Sequence, residues 1–141
     1  MTPTDTNMPR GIRNKNPGNI RHNDAFSWLH EIQPDEAGFC RFNDPIFGIR
    51  AAVLIFHHYQ EYSNLTTIEE MIRRWAPPVE NDSIDYARYV AGRCRTLPNA
   101  SFDFLLDALE FCRAIVSYEN GQDPYNQTTY NAAITLANTQ R

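Results

Sequence analysis

The stretch SFDFLLDALEFCRAIVSYENG, residues 101–121, is strongly apolar and decides the fold that the sequence predicts. Its apolar side chains recur at three- and four-residue steps, as in a helix with one buried face; they are Leu105, Leu106, Leu109, Cys112, Ile115 and Val116. Ser101 is the predicted N-cap, and Asn120 or Gly121 can adopt the left-handed conformation that ends a helix. The stretch therefore predicts a central helix on which the other elements pack.

Capping signals predict further helices on both sides of this one. Asp44 and Pro45 begin a helix that runs to about Tyr62, because Asp accepts backbone N–H bonds at an N-cap and Pro suits the first helical position. Residues 67–70, TIEE, have the form of a capping box, and the prolines of WAPP (75–78) end the short helix that follows. Asn81, Asp82 or Ser83 can cap the next helix. A last short helix is predicted after residues 126–128.

The remaining chain predicts one small β-element. Residues 25–42 contain short apolar patches interrupted by QPDE (33–36) and Gly38, a pattern typical of an irregular hairpin. Residues 1–9 lack periodicity and predict a flexible N-terminal arm. The total of 141 residues suits a single domain over residues 10–141. The predicted fold class is α+β, predominantly α-helical, with one small β-element.

Composition argues against several classes of function. A formal net charge of −4 disfavours sequence-independent nucleic-acid binding, and no apolar run reaches the roughly 18 residues of a membrane-spanning helix. The first ten residues lack the form of a secretory signal peptide. The scattered Cys40, Cys94 and Cys112 predict free thiols, and the four histidines lack metal-site spacing. We therefore expect no metal and no cofactor.

Glu119 is the first candidate for chemistry, because it lies at the end of the predicted central helix. The helix dipole places partial negative charge there and favours the protonated form of the carboxyl group, and contact with Tyr118 would act in the same direction. A protonated carboxyl group can serve as the general acid that protonates a glycosidic oxygen. The alternative is an ordinary surface glutamate before a glycine cap.

Glu31, Asp35 and Glu36 form a second candidate group in the predicted hairpin. Asp35 follows Pro34, an arrangement common in turns, so a structural or solvated role is the alternative. The functional hypothesis makes Asp35 a second carboxylate, which stabilises positive charge or orients a water molecule opposite the general acid.

Residues 75–81, WAPPVEN, combine an aromatic face, a rigid proline turn and two polar side chains. Trp75 could stack on the apolar face of a sugar while Glu80 and Asn81 bind its hydroxyl groups, although a helix stop with Asn81 as N-cap explains the same residues. Trp28 has the same two interpretations.

The N-terminal segment, residues 10–21 (RGIRNKNPGNIR), contains a strong turn signal at NPGN, where Gly18 or Asn19 can supply a positive φ. Its polar groups, among them Arg13, Asn16 and Asn19, either form a buried hydrogen-bonded platform or bind a polar or acidic ligand such as a lactyl carboxylate. The segment contains no carboxylate and no activated nucleophile. This favours the platform that supports a site elsewhere.

Together these motifs resemble a family of bacteriophage virion and prophage proteins. They are the N-terminal segment, Trp28, Asp35, Gly38-Phe39, Phe42, GIRA (48–51), WAPP (75–78), Glu80-Asn81, Tyr86, Glu119-Asn120-Gly121 and Tyr125. The resemblance covers nearly the whole chain after residue 9. Members of this family look lysozyme-like or lytic-transglycosylase-like. The resemblance implies that Glu119 is catalytic and that Tyr86 and Tyr125 are among the substrate-binding residues.

The order of the motifs differs from that of lysozymes. In those enzymes the acidic Glu ends a helix that precedes the small β-element and an Asn- or Gly-containing segment. Here Glu119 comes late and the corresponding segments come early, so the resemblance implies a lysozyme-like fold in circularly permuted order. Such permutation is physically feasible when the chain termini lie close together.

The resemblance and these residues together predict a peptidoglycan-cleaving glycosidase, either a muramidase or a lytic transglycosylase, with Glu119 as the general acid. Asp35 is the predicted second catalytic carboxylate, whereas Glu119 without a partner would suit a transglycosylase that forms an anhydro sugar. The predicted partners are the glycan strands of peptidoglycan and other virion proteins. The predicted location is the phage virion, or the host cytoplasm before release, with the cell wall as the place of action. Two alternatives stay open: a non-catalytic structural or glycan-binding virion protein, and a muralytic effector toxin.

Overall fold

The computed structural model describes residues 8–78 and 82–139, and most of its regular structure is helical. Residues 1–7 of the predicted arm lie outside the described residues, as do Glu80 and Asn81. The elements in chain order are α1 (Arg10–Arg13), β1 (Glu31–Ile32), β2 (Arg41–Phe42), α2 (Pro45–Tyr62), α3 (Ile68–Trp75), α4 (Ser83–Arg93), a 3₁₀ turn (Phe104–Asp107), α5 (Ala108–Asn120) and α6 (Gln127–Thr139). The predicted class, a predominantly helical α+β fold with one small β-element, is confirmed.

The long helix α2 forms where its capping signals predict it. The Asp44 side chain accepts a hydrogen bond from the Ile46 N–H at 2.9 Å, and Pro45 occupies the first turn. Val53 and Phe56 are buried and join side chains of α3, α4, α5 and α6 in the main hydrophobic core. Within residues 8–78 and 82–139, no helix, α2 included, combines the length and the apolar character needed to cross a bilayer.

Side chains also cap the next two helices. Thr67 and Glu70 form the predicted capping box of α3, and Asp82 is the N-cap of α4 among the three predicted candidates. On α4 the side chain of Tyr86 is buried, whereas Ile84 is 53% exposed. The face of α4 that carries Tyr86 therefore packs against the core.

The central helix begins later than predicted, and Ser101 is not its N-cap. Ser101 instead makes an isolated β-bridge with Thr67. The tertiary cause is Gln60 of α2, whose side-chain amide donates to the Phe102 carbonyl at 2.6 Å and accepts from the Phe104 N–H at 2.6 Å. These two bonds hold the backbone from Phe102 to the start of the 3₁₀ turn at Phe104, so α5 begins only after that turn.

The 3₁₀ turn also changes which apolar side chains are buried. Leu105 is 40% exposed and Leu106 is 82% exposed, so the prediction that both face the core was wrong. Three residues per turn rotate side chains differently from an α-helix, and Phe104 occupies the core instead. Cys112 and Ile115, farther along α5, are buried as predicted.

The predicted β-element is a two-stranded antiparallel sheet. Glu31 of β1 stands opposite Phe42 of β2, and Ile32 stands opposite Arg41. A second, smaller cluster of buried side chains connects this region to α2; it consists of Ile20, Cys40, Phe42, Ala51 and Ala52.

The N-terminal segment packs against both α2 and the end of α5. Asn19 adopts a φ of +52°, in agreement with the NPGN turn signal. A Cβ atom at Gly48 of α2 would overlap the carbonyl oxygen of Lys15, so this close approach requires glycine. The Asn120 side chain, at the end of α5, donates to the Pro17 carbonyl at 2.8 Å. The segment thus links two helices that are distant in sequence.

Candidate active site

Glu119 lies in the last turn of α5, and its neighbours hold that turn in place. Gly121 adopts a φ of +69° as the left-handed cap. Asn120 is buried, and its amide donates to the carbonyls of Val116 at 2.9 Å and Pro17 at 2.8 Å. The bond to Pro17 fixes the end of the helix, and with it Glu119, against the N-terminal segment.

Both carboxylate oxygens of Glu119 accept hydrogen bonds from side chains. Asn19 Nδ2 donates to Oε1 at 3.0 Å, and the Tyr86 hydroxyl donates to Oε2 at 2.7 Å. Trp75 Nε1 donates to the same hydroxyl at 3.2 Å, which directs the hydroxyl proton toward Glu119. The N-terminal segment, α3 and α4 therefore all contribute to the orientation of one carboxylate on α5.

Tyr86 acts as a buried donor to this carboxylate. Its side chain is 1% exposed, and its ring stacks on Tyr118 with 3.9 Å between the centroids. Burial, together with the adjacent charge of Glu119, raises the pKa of Tyr86 well above its ordinary value. The hydroxyl group therefore stays protonated at neutral and acidic pH and keeps donating to Glu119.

Glu119 borders a cavity of about 710 Å³, a volume typical of small-ligand sites. Among residues 8–78 and 82–139, Glu119 is the one carboxylate that lines it. Trp75 forms part of the wall, and its ring lies 4.6 Å from that of Phe56, which is fully buried in the main core. The indole is thus held by the core on one side and is available to a ligand on the other.

The other charged groups that line the cavity, within the residues that the structure describes, are cations. They are Arg10, Arg21 and Arg74. The guanidinium groups of Arg10 and Arg21 both lie over the ring of Phe39, at 3.9 and 4.6 Å from its centroid. The cavity therefore places one carboxylate among several guanidinium groups and aromatic rings, a combination suited to a polar ligand with anionic groups.

The structure does not bring Asp35 into the lining of this cavity. Its Oδ1 accepts from the N–H groups of Ala37 at 3.0 Å and Phe39 at 2.9 Å, and its Oδ2 accepts from Asn14 Nδ2 at 2.9 Å. Burial raises the pKa of Asp35, but these bonds and the charge of Arg10 lower it by more, so the pKa lies below its ordinary value. Asp35 therefore stabilises the turn of the β-element, which corresponds to the structural role that the sequence left open as the alternative.

Of the other predicted site residues, Asn19 and Tyr86 donate to Glu119, and Trp75 donates to the Tyr86 hydroxyl. Asn16 is 0% exposed, so it supports the fold rather than contacting a ligand, and Arg13 does not line the cavity.

Two further predicted site residues lie elsewhere. Tyr125 packs against the main core, where burial raises its pKa to about 12. Trp28 borders a second cavity of about 610 Å³. The second cavity shares part of its lining with the first: Ile20, Arg21, Ile55 and Tyr59. The predicted contacts of Glu80 and Asn81 lie outside the described residues.

Sequence reasoning missed Arg10 and Arg74 as cavity residues. Both are adjacent to predicted features, since Arg10 begins the N-terminal segment and Arg74 precedes Trp75. Adjacency to Trp75 in sequence does not show whether Arg74 or Arg73 lines the cavity. Arg73 instead makes an ion pair with Glu69 at 3.2 Å along α3. Only the rotation of the helix in the fold distinguishes the two arginines.

Among the described residues, His22, Glu31 and Cys40 place three potential metal-ligand atoms within 4.8 Å of one another. In this structure they are engaged with the protein. His22 Nδ1 and Glu31 Oε2 are hydrogen-bonded at 2.6 Å, and Glu31 Oε1 accepts from the Trp28 N–H at 3.0 Å. Burial raises the pKa of the Cys40 thiol to about 12. The cluster braces the β-element, and the expected absence of a metal stays a prediction.

The fold and the cavity define a predominantly helical α+β protein in which a carboxylate at a helix end borders a cavity. The chain is 35% identical over 135 residues to Protein P5 of Pseudoalteromonas phage PM2, an alignment that covers 89% of this chain and 80% of that protein. It belongs to the same family as this phage protein, which confirms the predicted relationship to phage proteins. No family model matches the chain.

Proposed function

We propose that the chain is a peptidoglycan-cleaving glycosidase of a bacteriophage or prophage, with a lysozyme-like arrangement in permuted order and with Glu119 as the general acid. The observation that carries the proposal is the orientation of Glu119, whose two oxygens are held by Asn19 and Tyr86 at the edge of the cavity. The resemblance of its motifs to lysozyme-like phage proteins supports the same function, and the relationship to Protein P5 of phage PM2 supports the assignment to a phage or prophage.

In this mechanism the glycan backbone of alternating N-acetylmuramic acid and N-acetylglucosamine binds along the cavity wall. Trp75 stacks on the apolar face of one sugar ring. Protonated Glu119 transfers its proton to the glycosidic oxygen as the bond to the anomeric carbon breaks. The hydrogen bonds of Asn19 and Tyr86 keep the carboxyl group directed at that oxygen, since proton transfer depends on close and specific geometry.

The position of Asp35 outside the cavity lining favours one class of product. Hydrolysis by lysozyme-type enzymes uses two carboxylates, whereas among the described residues only Glu119 lines the cavity. A single carboxylate suits a lytic transglycosylase: after it has protonated the leaving oxygen, it accepts the proton of the muramic acid C6 hydroxyl, whose oxygen bonds to the anomeric carbon. The product then ends in a 1,6-anhydro sugar.

The test is a turbidity assay on purified sacculi with the full chain and two matched variants. Glu119→Gln removes the acid, and Glu110→Gln alters an exposed carboxylate on the same helix, α5. We expect Glu119→Gln to lower the clearing rate by a factor of roughly 100 to 10,000, the usual contribution of general acid catalysis, and Glu110→Gln to clear like wild type.

Two results would overturn the proposal in different ways. A wild-type chain that clears no sacculi would remove the glycosidase and leave a non-catalytic phage protein. Equal clearing by wild type and Glu119→Gln would show that another group supplies the proton. Mass spectrometry of the released fragments separates the products, because anhydro ends are lighter by one water than the reducing ends left by hydrolysis.

A further inference from the structure

We propose that Arg10, Arg21 and Arg74 form a binding site for carboxylate groups of the substrate, so that the cavity selects muramic-acid strands with acidic groups over neutral chitin-like strands. The inference rests on the proposed function for the identity of the glycan. It adds which chemical feature of that glycan is recognised and which residues recognise it.

The three arginines reach the cavity from two parts of the chain, the two ends of the N-terminal segment and the helix α3. Arg10 belongs to α1, Arg21 follows the NPGN turn, and Arg74 lies in the last turn of α3. All three side chains belong to exposed residues, and all three line the cavity that contains Glu119. The fold therefore gathers cations at this opening from positions that are not neighbours in sequence.

Their guanidinium groups keep hydrogen-bond donors available to a ligand. Within the described part of the chain, none of the three makes an ion pair. Their contacts are with aromatic rings: Arg10 and Arg21 lie over Phe39, and Arg74 lies 5.7 Å from the centroid of Tyr59. Ring contact holds a guanidinium group by its face and leaves its N–H edge free to bind an anion.

Electrostatics favours an anion at this place. The whole chain carries a formal charge of −4, yet the charged groups that line the cavity in the described part of the chain are the three arginines and Glu119. The guanidinium groups of Arg10 and Arg21 both lie over the ring of Phe39, so an anion bound there would be attracted by two positive charges. A cluster of like charges in a concave site also concentrates oppositely charged ligands there.

The chemistry of arginine points to carboxylates, because the planar guanidinium fork matches a carboxylate in two parallel hydrogen bonds. Peptidoglycan offers carboxylates from two sources. In intact sacculi the peptide branches carry them, and in strands stripped of peptides the lactyl group of muramic acid carries one. Chitin, a polymer of N-acetylglucosamine, carries neither.

The experiment measures binding of full-length Glu119→Gln protein, which leaves the polymer intact, by co-sedimentation. Four polymers serve as probes: native sacculi, sacculi whose carboxylates are capped as neutral methylamides, amidase-stripped glycan strands immobilised on beads, and insoluble chitin. Arg74→Gln is added to this background and compared with Arg73→Gln, an exposed neighbour on α3 that does not line the cavity.

We expect capping to weaken binding at least tenfold, as the loss of one charge-assisted contact predicts, and Arg74→Gln to weaken binding to native sacculi about tenfold. Arg73→Gln should bind like its parent, and Arg74→Gln should bind capped sacculi as weakly as its parent does. Stripped strands that bind like native sacculi would assign the lactyl carboxylate as a ligand, and stripped strands that bind like chitin would assign the peptide carboxylates.

Equal binding to native and capped sacculi would overturn the inference, as would equal losses for Arg74→Gln and Arg73→Gln. Thermal unfolding of each variant shows whether it is folded, and Arg21→Gln repeats the test at a second position. Failure here is distinguishable from failure of the proposed function. If the wild type clears sacculi but binds without preference for carboxylates, the glycosidase proposal stands and the arginine site fails. If binding depends on carboxylates but no clearing occurs, the arginine site stands and the glycosidase proposal fails.

Discussion

The replacement of Asn16 by alanine tests whether the N-terminal segment is a buried platform. Asn16 is 0% exposed, and its Oδ1 accepts from the Ile20 N–H at 3.0 Å. Its Nδ2 donates to the carbonyls of Ile20 and Cys40, both at 3.0 Å. The Ile20 carbonyl retains a bond from the Cys40 N–H at 2.9 Å. Asn16→Ala therefore deprives two buried backbone groups, the Ile20 N–H and the Cys40 carbonyl, of these partners.

The magnitude follows from those two groups. Each buried polar group without a partner costs about 1–3 kcal/mol, so Asn16→Ala should lower the free energy of unfolding by about 2–6 kcal/mol. Domains of this size are stable by about 5–15 kcal/mol, so the variant should lose a large fraction of its stability. At roughly 3–4 °C per kcal/mol, the melting temperature should fall by roughly 6–24 °C.

Urea unfolding followed by far-ultraviolet circular dichroism measures this effect. The control is Asn43→Ala, because Asn43 is exposed and its side chain bonds only His30 among the described residues. That substitution should change the free energy of unfolding by less than about 0.5 kcal/mol. If Asn16→Ala costs no more than Asn43→Ala, the segment is not a platform and the reasoning from its buried amide fails.

Three further predictions follow from other contacts. Gly48→Ala should lower the free energy of unfolding, measured in urea, by about 1–3 kcal/mol or more, because its Cβ would overlap a backbone carbonyl of the N-terminal segment. Gly92→Ala, in open space on α4, should instead raise it by up to about 1 kcal/mol. Equal effects of the two substitutions would contradict the close approach of the N-terminal segment to α2. Tyr86→Phe should slow clearing of sacculi about ten- to hundredfold through loss of its bond to the cavity carboxylate, while Tyr89→Phe, whose hydroxyl accepts from Arg93, should not. Hydrogen bonds and charges of two neighbouring carboxylates raise the pKa of His22, so its contribution to stability is complete below about pH 6.5 and is lost as pH rises through the folded-state value. His22→Gln should therefore flatten the decline in urea-derived stability over that rise, and an unchanged pH profile would show that the pair does not form.

Much of the fold was predictable because its signals are local. The Asp44 cap, the capping box at Thr67 and the left-handed Gly121 each depend on contacts within a few residues. The prediction failed at Ser101 and Leu106, where the decisive contact comes from Gln60 on another helix. The residues that neighbour position 101 in the sequence give no information about this contact.

The candidate site was predictable in part for the same reason. Glu119 stood out by its place at a helix end, and Trp75 by its place before two prolines. Asp35 is a candidate because it is a carboxylate in a turn, but in that turn its Oδ1 accepts hydrogen bonds from nearby backbone N–H groups. Its hydrogen bonds could not be inferred from residue type alone.

The sequence by itself determined the helices, the small β-element and the presence of a carboxylate at the end of the central helix, because caps, turns and apolar periodicity act over short distances. Only the tertiary structure decided which side chains meet that carboxylate. Asn19, Trp75 and Tyr86 belong to three segments, and their convergence depends on how the helices pack. The same packing places Arg74 at the cavity while the adjacent Arg73 pairs with Glu69, and it brings three guanidinium groups to one cavity. The reason is that the position of a side chain in space depends on long-range packing, which local propensity does not specify.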